Sequence, residues 1–389
     1  FLLTSALSGT LLGAAHDGIR AGVIGSGGRG RLLAREFREL GAEVAAVCDV
    51  YSPNLDAGLQ VASPSARGYG NYKRLLEDKS IAVVIVATPD HWHAQMVIDA
   101  VEAGKDVYVE KPLAHTIEEG FRIVEAVRRT GRVVQVGTQR RSFDLFQDAR
   151  RVFQSGALGE VRLVNAWWVN HQKSLRQTKL DGKLDWEQWL GPAAKRELDP
   201  HRFFNWYYYW DYSGGLMVGQ AAHVVDAIHW FMNSTHPVAV TCAAGRVNLE
   251  GAEAPETTSM AIEYPENYLA VFTVGYRAMR YNFFNDQLKQ FHGSKARFDV
   301  GREGYALYPE SQEIEMKPTV EVRRPGSFAP ATRAHIQNFL DCVRSRKDPT
   351  ATVEMGQSTN IVMCMAMEAL RTGRRLQWDK KAERFINDD

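Results

Sequence analysis

The chain has 389 residues, 45% of them hydrophobic, enough to bury sizeable cores and long enough for two domains. A formal charge of +1 gives no electrostatic case for nucleic acid or an anionic membrane as a partner. The four cysteines, Cys48, Cys242, Cys342 and Cys364, stand far apart among apolar residues. Buried reduced thiols are therefore expected, with no disulfide framework and no zinc site.

Phe1 to Ala15 is apolar and rich in small residues. It is too short to span a bilayer but matches the apolar region of an export signal, with Gly13-Ala14-Ala15 as a cleavage region. Phe1-Leu2 suits the residues after a twin-arginine pair, so export of the folded protein to the periplasm is one expectation. The other is an arm over residues 1–18 that packs on a neighbouring subunit.

From Ile19 the pattern is a short strand, a glycine turn and an amphipathic helix with Leu32, Leu33 and Phe37 on one face. Gly25, Gly27 and Gly30 fit G-x-G-x-x-G: one glycine for the tight turn, one for close approach to a pyrophosphate, one for helix packing on the strand. The helix N-terminus would face the phosphates, and Arg29 or Arg31 could reach them. Ala42 to Cys48 reads as a second strand. Asp49 closes it about twenty residues past the turn, where a carboxylate accepts ribose hydroxyls and repels a 2′-phosphate. A dinucleotide site preferring NAD is expected; otherwise Asp49 only caps a loop.

Ile81 to Ala87 is a continuous apolar run, as in a parallel strand covered on both faces. Helices over Trp92 to Ala103 and Thr116 to Arg129 alternate with strands over Asp106 to Val109 and Val133 to Gly137. This spacing implies a doubly wound parallel sheet over residues 19–140. Thr88 to His93, Glu110 to Pro112 and Thr138 to Arg141 all fall at carboxyl ends of strands, where such sheets bind ligands. Three loops thus converge on one crevice. Asp90, His91 and His93 lie close in sequence, but no further carboxylate is tied to them and no metal is expected.

Past residue 140 a helix near Leu145 to Gln154 precedes strands over Val161 to Val169, Val238 to Arg246, Thr257 to Tyr264 and Leu269 to Tyr276. Pro265-Glu266-Asn267 reads as a hairpin turn. Residues 141–389 are expected to form a substrate-binding and oligomerisation domain. Its open, mostly antiparallel sheet has one face against helices and the other free for association. Helices within 331–375 are expected to pack back on the first domain.

Lys111, at a strand's carboxyl end beside the predicted nicotinamide, can move a hydroxyl proton or hydrogen-bond the oxygen at the reacting carbon. Pro112 fixes the chain's exit angle and is a position where a cis bond can occur. The run from Phe203 to Tyr212 packs many aromatics together, and their flat faces suit the C–H faces of a sugar. Core or subunit interface is the competing reading. A helix from about Leu216 then carries His223 and Asp226 at helical spacing.

Taken together, Gly25-x-Gly27-x-x-Gly30, Thr88-Pro89 with His93, Glu110-Lys111-Pro112, Gly214-Gly215 with His223-x-x-Asp226, and closing helices ending at Leu376-Gln377-Trp378-Asp379 resemble the glucose–fructose oxidoreductase/inositol dehydrogenase (Gfo/Idh/MocA) family. Asp185 to Pro192 is similar to its members with export signals. The resemblance implies a Rossmann domain, an α/β domain that makes a homodimer or homotetramer, and NAD(P)-dependent oxidation or reduction of sugars and polyols. It assigns Lys111 to orient the reacting hydroxyl and His223 as acid/base. On this reading NAD is contacted by Gly25, Ser26, Gly27, Gly28, Arg29, Gly30, Asp49, Thr88, Pro89, His91, His93, Glu110, Lys111 and Gln139. A carbohydrate substrate is contacted by Lys111, Arg141, Tyr208, Tyr212, Gln220 and His223.

One position departs from the family. Its dehydrogenases commonly carry an aspartate four residues before the histidine, where this chain has Gly219. Gln220, Tyr208 or Asp211 could substitute. Family glycosidases, including α-N-acetylgalactosaminidases, also depart there. They oxidise C3 transiently, eliminate the aglycone, add water and return the hydride, so an NAD-dependent glycosidase is the alternative expectation. A non-catalytic sensor is the third.

Overall fold

The computed structural model describes residues 18–170, 179–276, 281–282, 285–313, 316–326, 328 and 330–387. The signal-like stretch Phe1 to Ala15 lies outside the described residues.

Six parallel strands form the first sheet: β1 (Arg20–Ile24), β2 (Glu43–Cys48), β3 (Arg67–Tyr69), β4 (Val83–Val86), β5 (Asp106–Val109) and β6 (Val134–Val136). Their order is β3-β2-β1-β4-β5-β6. Chain direction across the sheet reverses between β1 and β4, and a crevice opens beyond their carboxyl ends. Strands β4 and β5 are buried along their whole length, which is why they read as unbroken apolar runs. Strand β3 escaped the sequence reading, because Arg67-Gly68-Tyr69 is a short, mostly exposed edge segment held only by pairing with β2. The helix Gly28–Glu39 buries Leu33, Ala34 and Phe37, while Leu32, expected beside them, faces outward. The helix Ile117–Thr130 starts on a capping box of Thr116 and Glu119 and stops at Gly131, whose φ of 62° suits glycine.

The second sheet has ten strands: β7 (Val161–Asn170), β8 (Ala239–Ala244), β9 (Thr257–Tyr264), β10 (Tyr268–Tyr276), β11 (Lys289–Gly293), β12 (Ala296–Val300), β13 (Gly304–Pro309), β14 (Val320–Arg323), β15 (Leu376–Asp379) and β16 (Arg384–Asn387). The order is β14-β13-β12-β11-β7-β10-β9-β8-β15-β16. Only β7 and β10 pair in parallel. Strand β9 alternates buried and partly exposed residues, and Asn267 turns the β9–β10 hairpin at φ 61°. Leu376–Asp379, expected as the end of the last helix, is instead a strand. Gly373 stops that helix in the left-handed region, and the chain then pairs with β8.

The helix Ala331–Ser345 packs on the first domain, with the Phe339 ring 6.1 Å from Phe37 and 5.9 Å from Tyr108. The helix Val353–Thr372 bridges the domains. Its Gln357 and Asn360 amides donate to the carbonyls of Ile117 and Thr116. Its Met363 and Ala366 join the core of the second sheet. The bridge holds the first domain's strand-end loops against the helix Gly215–Met232.

Burial makes the fold acid-sensitive. It holds His91 and His229 down to about 3 and His335 to about 4. An unfolded histidine titrates near 6.5. Below that pH the unfolded chain takes up protons that the folded chain refuses, so stability falls as pH falls. The slope is at most about 1.4 kcal/mol per pH unit for each histidine. Urea midpoints measured from pH 7 down to 4.5 are expected to drop steadily below 6.5, and a flat profile would contradict this account.

Candidate active site

The turn after β1 is built around its glycines. Gly25 has φ 84°, and a Cβ there would lie 2.8 Å from the Ala87 carbonyl oxygen. A Cβ on Gly30 would lie 1.9 Å from the Gly25 carbonyl oxygen, so only glycine lets the helix start this close to the strand. A Cβ on Gly27 or Gly28 would meet open space. Those two positions form an open cradle at a helix N-terminus, the place for a pyrophosphate. The cradle is one end of a cleft of about 1090 Å3, lined also by Asp49, Tyr51, Thr88, Pro89, Trp189 and Tyr207. That is at the upper end of small-molecule sites. Thr88 Oγ1 and Gln139 Oε1 are buried without hydrogen-bond partners, as groups awaiting a ligand would be. These residues fit a dinucleotide.

Several expected nucleotide contacts also hold the cleft's walls together. Ser26 donates its backbone N–H to Asp49 Oδ2 at 2.8 Å, and its hydroxyl to the Asn54 carbonyl. It therefore fixes Asp49 and is itself almost fully covered. Asp49 also accepts from the Tyr51 N–H at 2.9 Å. Burial raises the Asp49 pKa while these backbone donors oppose the rise. Arg29 pairs with Glu110 at 2.6 Å, tying the glycine turn to the Lys111 loop. Both ring nitrogens of His93 lie against carbonyls, those of Pro112 and Thr88, so this buried ring is a strut between two loops. His91 Nε2 lies 3.1 Å from the Trp189 carbonyl, with its ring among Trp92, Trp189 and Tyr212.

Residues 181–213 form a strap across this cleft. Leu184 bridges to Tyr51, and the Ser52 N–H donates to the Lys183 carbonyl at 2.8 Å. Trp92 Nε1 donates to the Trp189 carbonyl at 2.8 Å, and Ser213 Oγ to Asp90 Oδ2 at 2.6 Å. Both rims of the nucleotide cleft are thereby stitched to one segment. Trp186 stacks on Trp189 at 4.8 Å, and Trp189, Phe203, Tyr209 and Tyr212 close an aromatic core with Tyr51. Tyr209 and Tyr212 thus follow the core reading of the aromatic run, while Phe203, Phe204, Trp206, Tyr207 and Tyr208 line the cleft. Tyr212 is fully buried inside the strap, and Tyr208 is buried against the second domain's core while forming part of the cleft wall. Asp211 pairs with Arg196 and Arg202, away from the reacting groups.

Lys111, His223 and Gly219 come together. Lys111 follows β5 and precedes a cis peptide bond to Pro112, and its Nζ donates to the Gly219 carbonyl at 3.1 Å. An ammonium has three donors, so two remain. Burial lowers the Lys111 pKa, with Glu110 and Asp90 pulling it back up. His223 lies one turn beyond Gly219 on the same helix. Burial, and then the cations Lys111, Arg140, Arg29 and Lys289, hold it well below its ordinary value. It is neutral near pH 7, and its Nδ1 is buried without a partner. Gln220 lines the cleft. Arg141, expected to bind substrate, donates its Nε to both oxygens of buried Asp226 at 2.8 and 3.0 Å and so anchors the helix.

Sequence reasoning missed Tyr207. A Cβ at position 219 would fall 1.4 Å from the Tyr207 hydroxyl, so the phenol oxygen fills the space where a residue-219 side chain would begin. Only the folding of the strap brings it there. Nothing in the local sequence distinguishes Tyr207 from its neighbours Tyr208 and Tyr209.

Three family models together match most of the chain: "Oxidoreductase family, NAD-binding Rossmann fold" over residues 19–138, "GFO/IDH/MocA C-terminal domain" over 146–299, and "Oxidoreductase family, C-terminal alpha/beta domain" over 316–389. The chain belongs to the Gfo/Idh/MocA family. Gfo/Idh/MocA relatives include the inositol 2-dehydrogenase of Salmonella typhimurium, 33% identical over 155 residues, 39% of this chain and 46% of that enzyme. The match thus spans about half of that relative's length. The α-N-acetylgalactosaminidase of Shewanella oneidensis is 39% identical over 121 residues, 29% of this chain and 26% of that enzyme. Among solved structures, levoglucosan dehydrogenase with NADH and levoglucosan superposes with a TM-score of 0.73 at 15% identity, covering 95% of this chain and 99% of that one. Myo-inositol 2-dehydrogenase from Lactobacillus plantarum gives 0.70 at 21% identity, covering 92% and 99%. These two establish the Gfo/Idh/MocA fold, and the first family model identifies the cofactor of its Rossmann domain as NAD.

Proposed function

We propose that the protein is an NAD-dependent oxidoreductase acting on a hydroxyl of a sugar, glycoside or polyol. The observation that carries this is Lys111 bonded to the Gly219 carbonyl, one turn before His223 on the same helix and beside Gln220 and Tyr207, which line the cleft. Gly25, Gly27, Gly28, Gly30 and Asp49 would hold the dinucleotide, with the Asp49 carboxylate favouring NAD over a 2′-phosphorylated nucleotide. Bound there, NAD supplies a hydride acceptor at its nicotinamide ring. Lys111 orients the reacting hydroxyl through its remaining N–H donors, while neutral His223 accepts the hydroxyl proton. Tyr207 puts a hydroxyl where relatives carry the aspartate carboxylate, completing a three-group set around one oxygen. Incubation with NAD and a panel of sugars, glycosides and cyclitols tests the proposal. Steady formation of reduced nucleotide with one of them is expected, and aglycone release without it would favour the glycosidase.

That second reading has its own support. The strap is bonded to both rims of the cleft, which suits a nucleotide that stays bound through a redox-neutral cycle, and Gly219 with Tyr207 departs from the dehydrogenase pattern. In either reading Trp189→Ala, which removes the strap's central ring, is expected to speed nucleotide release about tenfold or more, the loss of one well-packed aromatic contact. Exchange of bound NAD against labelled NAD measures it, and an unchanged rate would show that the strap does not retain the nucleotide. Association of two or four copies through the open sheet face, where Leu269 is exposed, is part of the same proposal.

A further inference from the structure

A buried cluster of cations lies beside the proposed reacting groups and is not used by them. Arg140 follows β6 and is 2% exposed. Its guanidinium lies 5.6 Å from the Phe146 ring, 5.5 Å from Trp168 and 6.0 Å from Phe328. Nη2 donates to Gln287 Oε1, but Nε and Nη1 have no partner. Burial pulls Arg140 down only to about 10, so it remains charged at neutral pH. Lys289 is completely buried, donates to the Gln287 carbonyl at 2.5 Å and lies 5.1 Å from the Phe146 ring; burial and then Arg140 hold its pKa well below the ordinary lysine value, so it acts as a donor whose charge an incoming anion would favour.

Asp226 is held by Arg141. Asp286 is buried, lies 3.7 Å from Arg302, and its charge also acts on Arg140 and Lys289, so one carboxylate faces three basic groups. Among the described residues no carboxylate makes an ion pair with Arg140 or Lys289. A buried guanidinium with unused donors is unfavourable unless an anion reaches it. Trp168 shows where that anion would lie. Its ring is 6.1 Å from the His223 ring as well as 5.5 Å from the Arg140 guanidinium, and its own Nε1 is buried without a partner. Arg140 and His223, each with an unpartnered nitrogen, thus lie 5.5 and 6.1 Å from one indole ring whose own Nε1 is unpartnered too.

We infer that Arg140, backed by Lys289, binds an anionic oxygen group on the substrate, so that this site takes an acidic sugar. The inference rests on the reading of Lys111 and His223 as the reacting centre. It places the carboxylate of a uronic or aldonic acid, or a sugar phosphate, at Arg140 while the reacting hydroxyl lies at Lys111.

The test is equilibrium binding to the NAD-loaded protein of D-glucuronate, D-gluconate, D-glucose 6-phosphate and D-glucose, by calorimetry. At least one acid is expected to bind about tenfold or more tightly than D-glucose, and the arm that wins names the group. Arg140→Gln is expected to weaken that acid about 10- to 100-fold, the scale of a hydrogen bond to a charged group. Arg140→Lys would keep part of the preference, and bound NAD would be unaffected in both. D-glucose binding as well as every acid, or no acid binding at all, overturns the inference in the wild-type protein alone, even if the variants do not fold. Retention of the acid preference in Arg140→Gln overturns it equally. Failure to load NAD would instead sink the reading of the site on which it rests.

Discussion

Replacing Lys111 with Ala is expected to lower turnover about a hundred- to ten-thousand-fold while the nucleotide stays bound. That loss corresponds to about 3–5 kcal/mol of transition-state stabilisation. The separation of the two effects follows from geometry. On the proposed reading the nucleotide would be held at the glycine turn, Asp49 and the strap, which line the cleft, whereas the Lys111 ammonium donates to the Gly219 carbonyl on the helix of His223. Burial lowers the Lys111 pKa, while Glu110 and Asp90 keep it from falling as far as burial alone would take it. Lys111→Arg retains a cation but not a compact amine, and it is expected to recover little activity. Steady-state kinetics, with bound nucleotide quantified in parallel, decides the matter. Full turnover in Lys111→Ala would remove this residue from the reaction.

Gly219→Ala is expected to cut activity about as deeply as Tyr207→Phe, roughly a hundredfold for each. The two changes are opposite in kind. One adds a methyl group where the phenol oxygen sits, 1.4 Å from the new Cβ, and so pushes Tyr207 out. The other removes the oxygen and leaves the ring in place. Equal losses would show that the hydroxyl at this spot is what matters. The double variant Tyr207→Ala/Gly219→Asp clears the space and restores the family's carboxylate, and it is expected to recover activity above either single variant. A loss in Gly219→Ala with none in Tyr207→Phe would reduce Tyr207 to a packing role.

Much of the first domain could be read from the chain because its signals are local. The glycine turn, the apolar runs of β4 and β5, and Lys111 beside Pro112 each declare themselves within a few residues. The three strand-end loops do converge, and the β9–β10 hairpin turns at the expected residues. What escaped reading depends on tertiary geometry. Arg141 and His93 looked like ligand contacts by position, but each is spent holding one element to another. The aromatic run looked like a sugar surface because composition cannot say which way rings face. Folded, Tyr209 and Tyr212 pack with Trp189 and Tyr51, while Phe203, Phe204, Trp206, Tyr207 and Tyr208 line the cleft. Tyr207 could not be singled out, because its meaning lies in the gap at Gly219, twelve residues on along the chain and adjacent only in space.

The central claim is that a carbon-bound hydrogen of the substrate passes to NAD at the site of Lys111 and His223. Its most direct test uses the sugar or glycoside found active in the panel, deuterated at the carbon bearing the reacting hydroxyl. After a single turnover with the NAD-loaded protein, the nucleotide is released and its mass measured. The account predicts deuterium in the nicotinamide ring, and loss of that transfer in Lys111→Ala. Oxidised product formed with unlabelled nucleotide would contradict it.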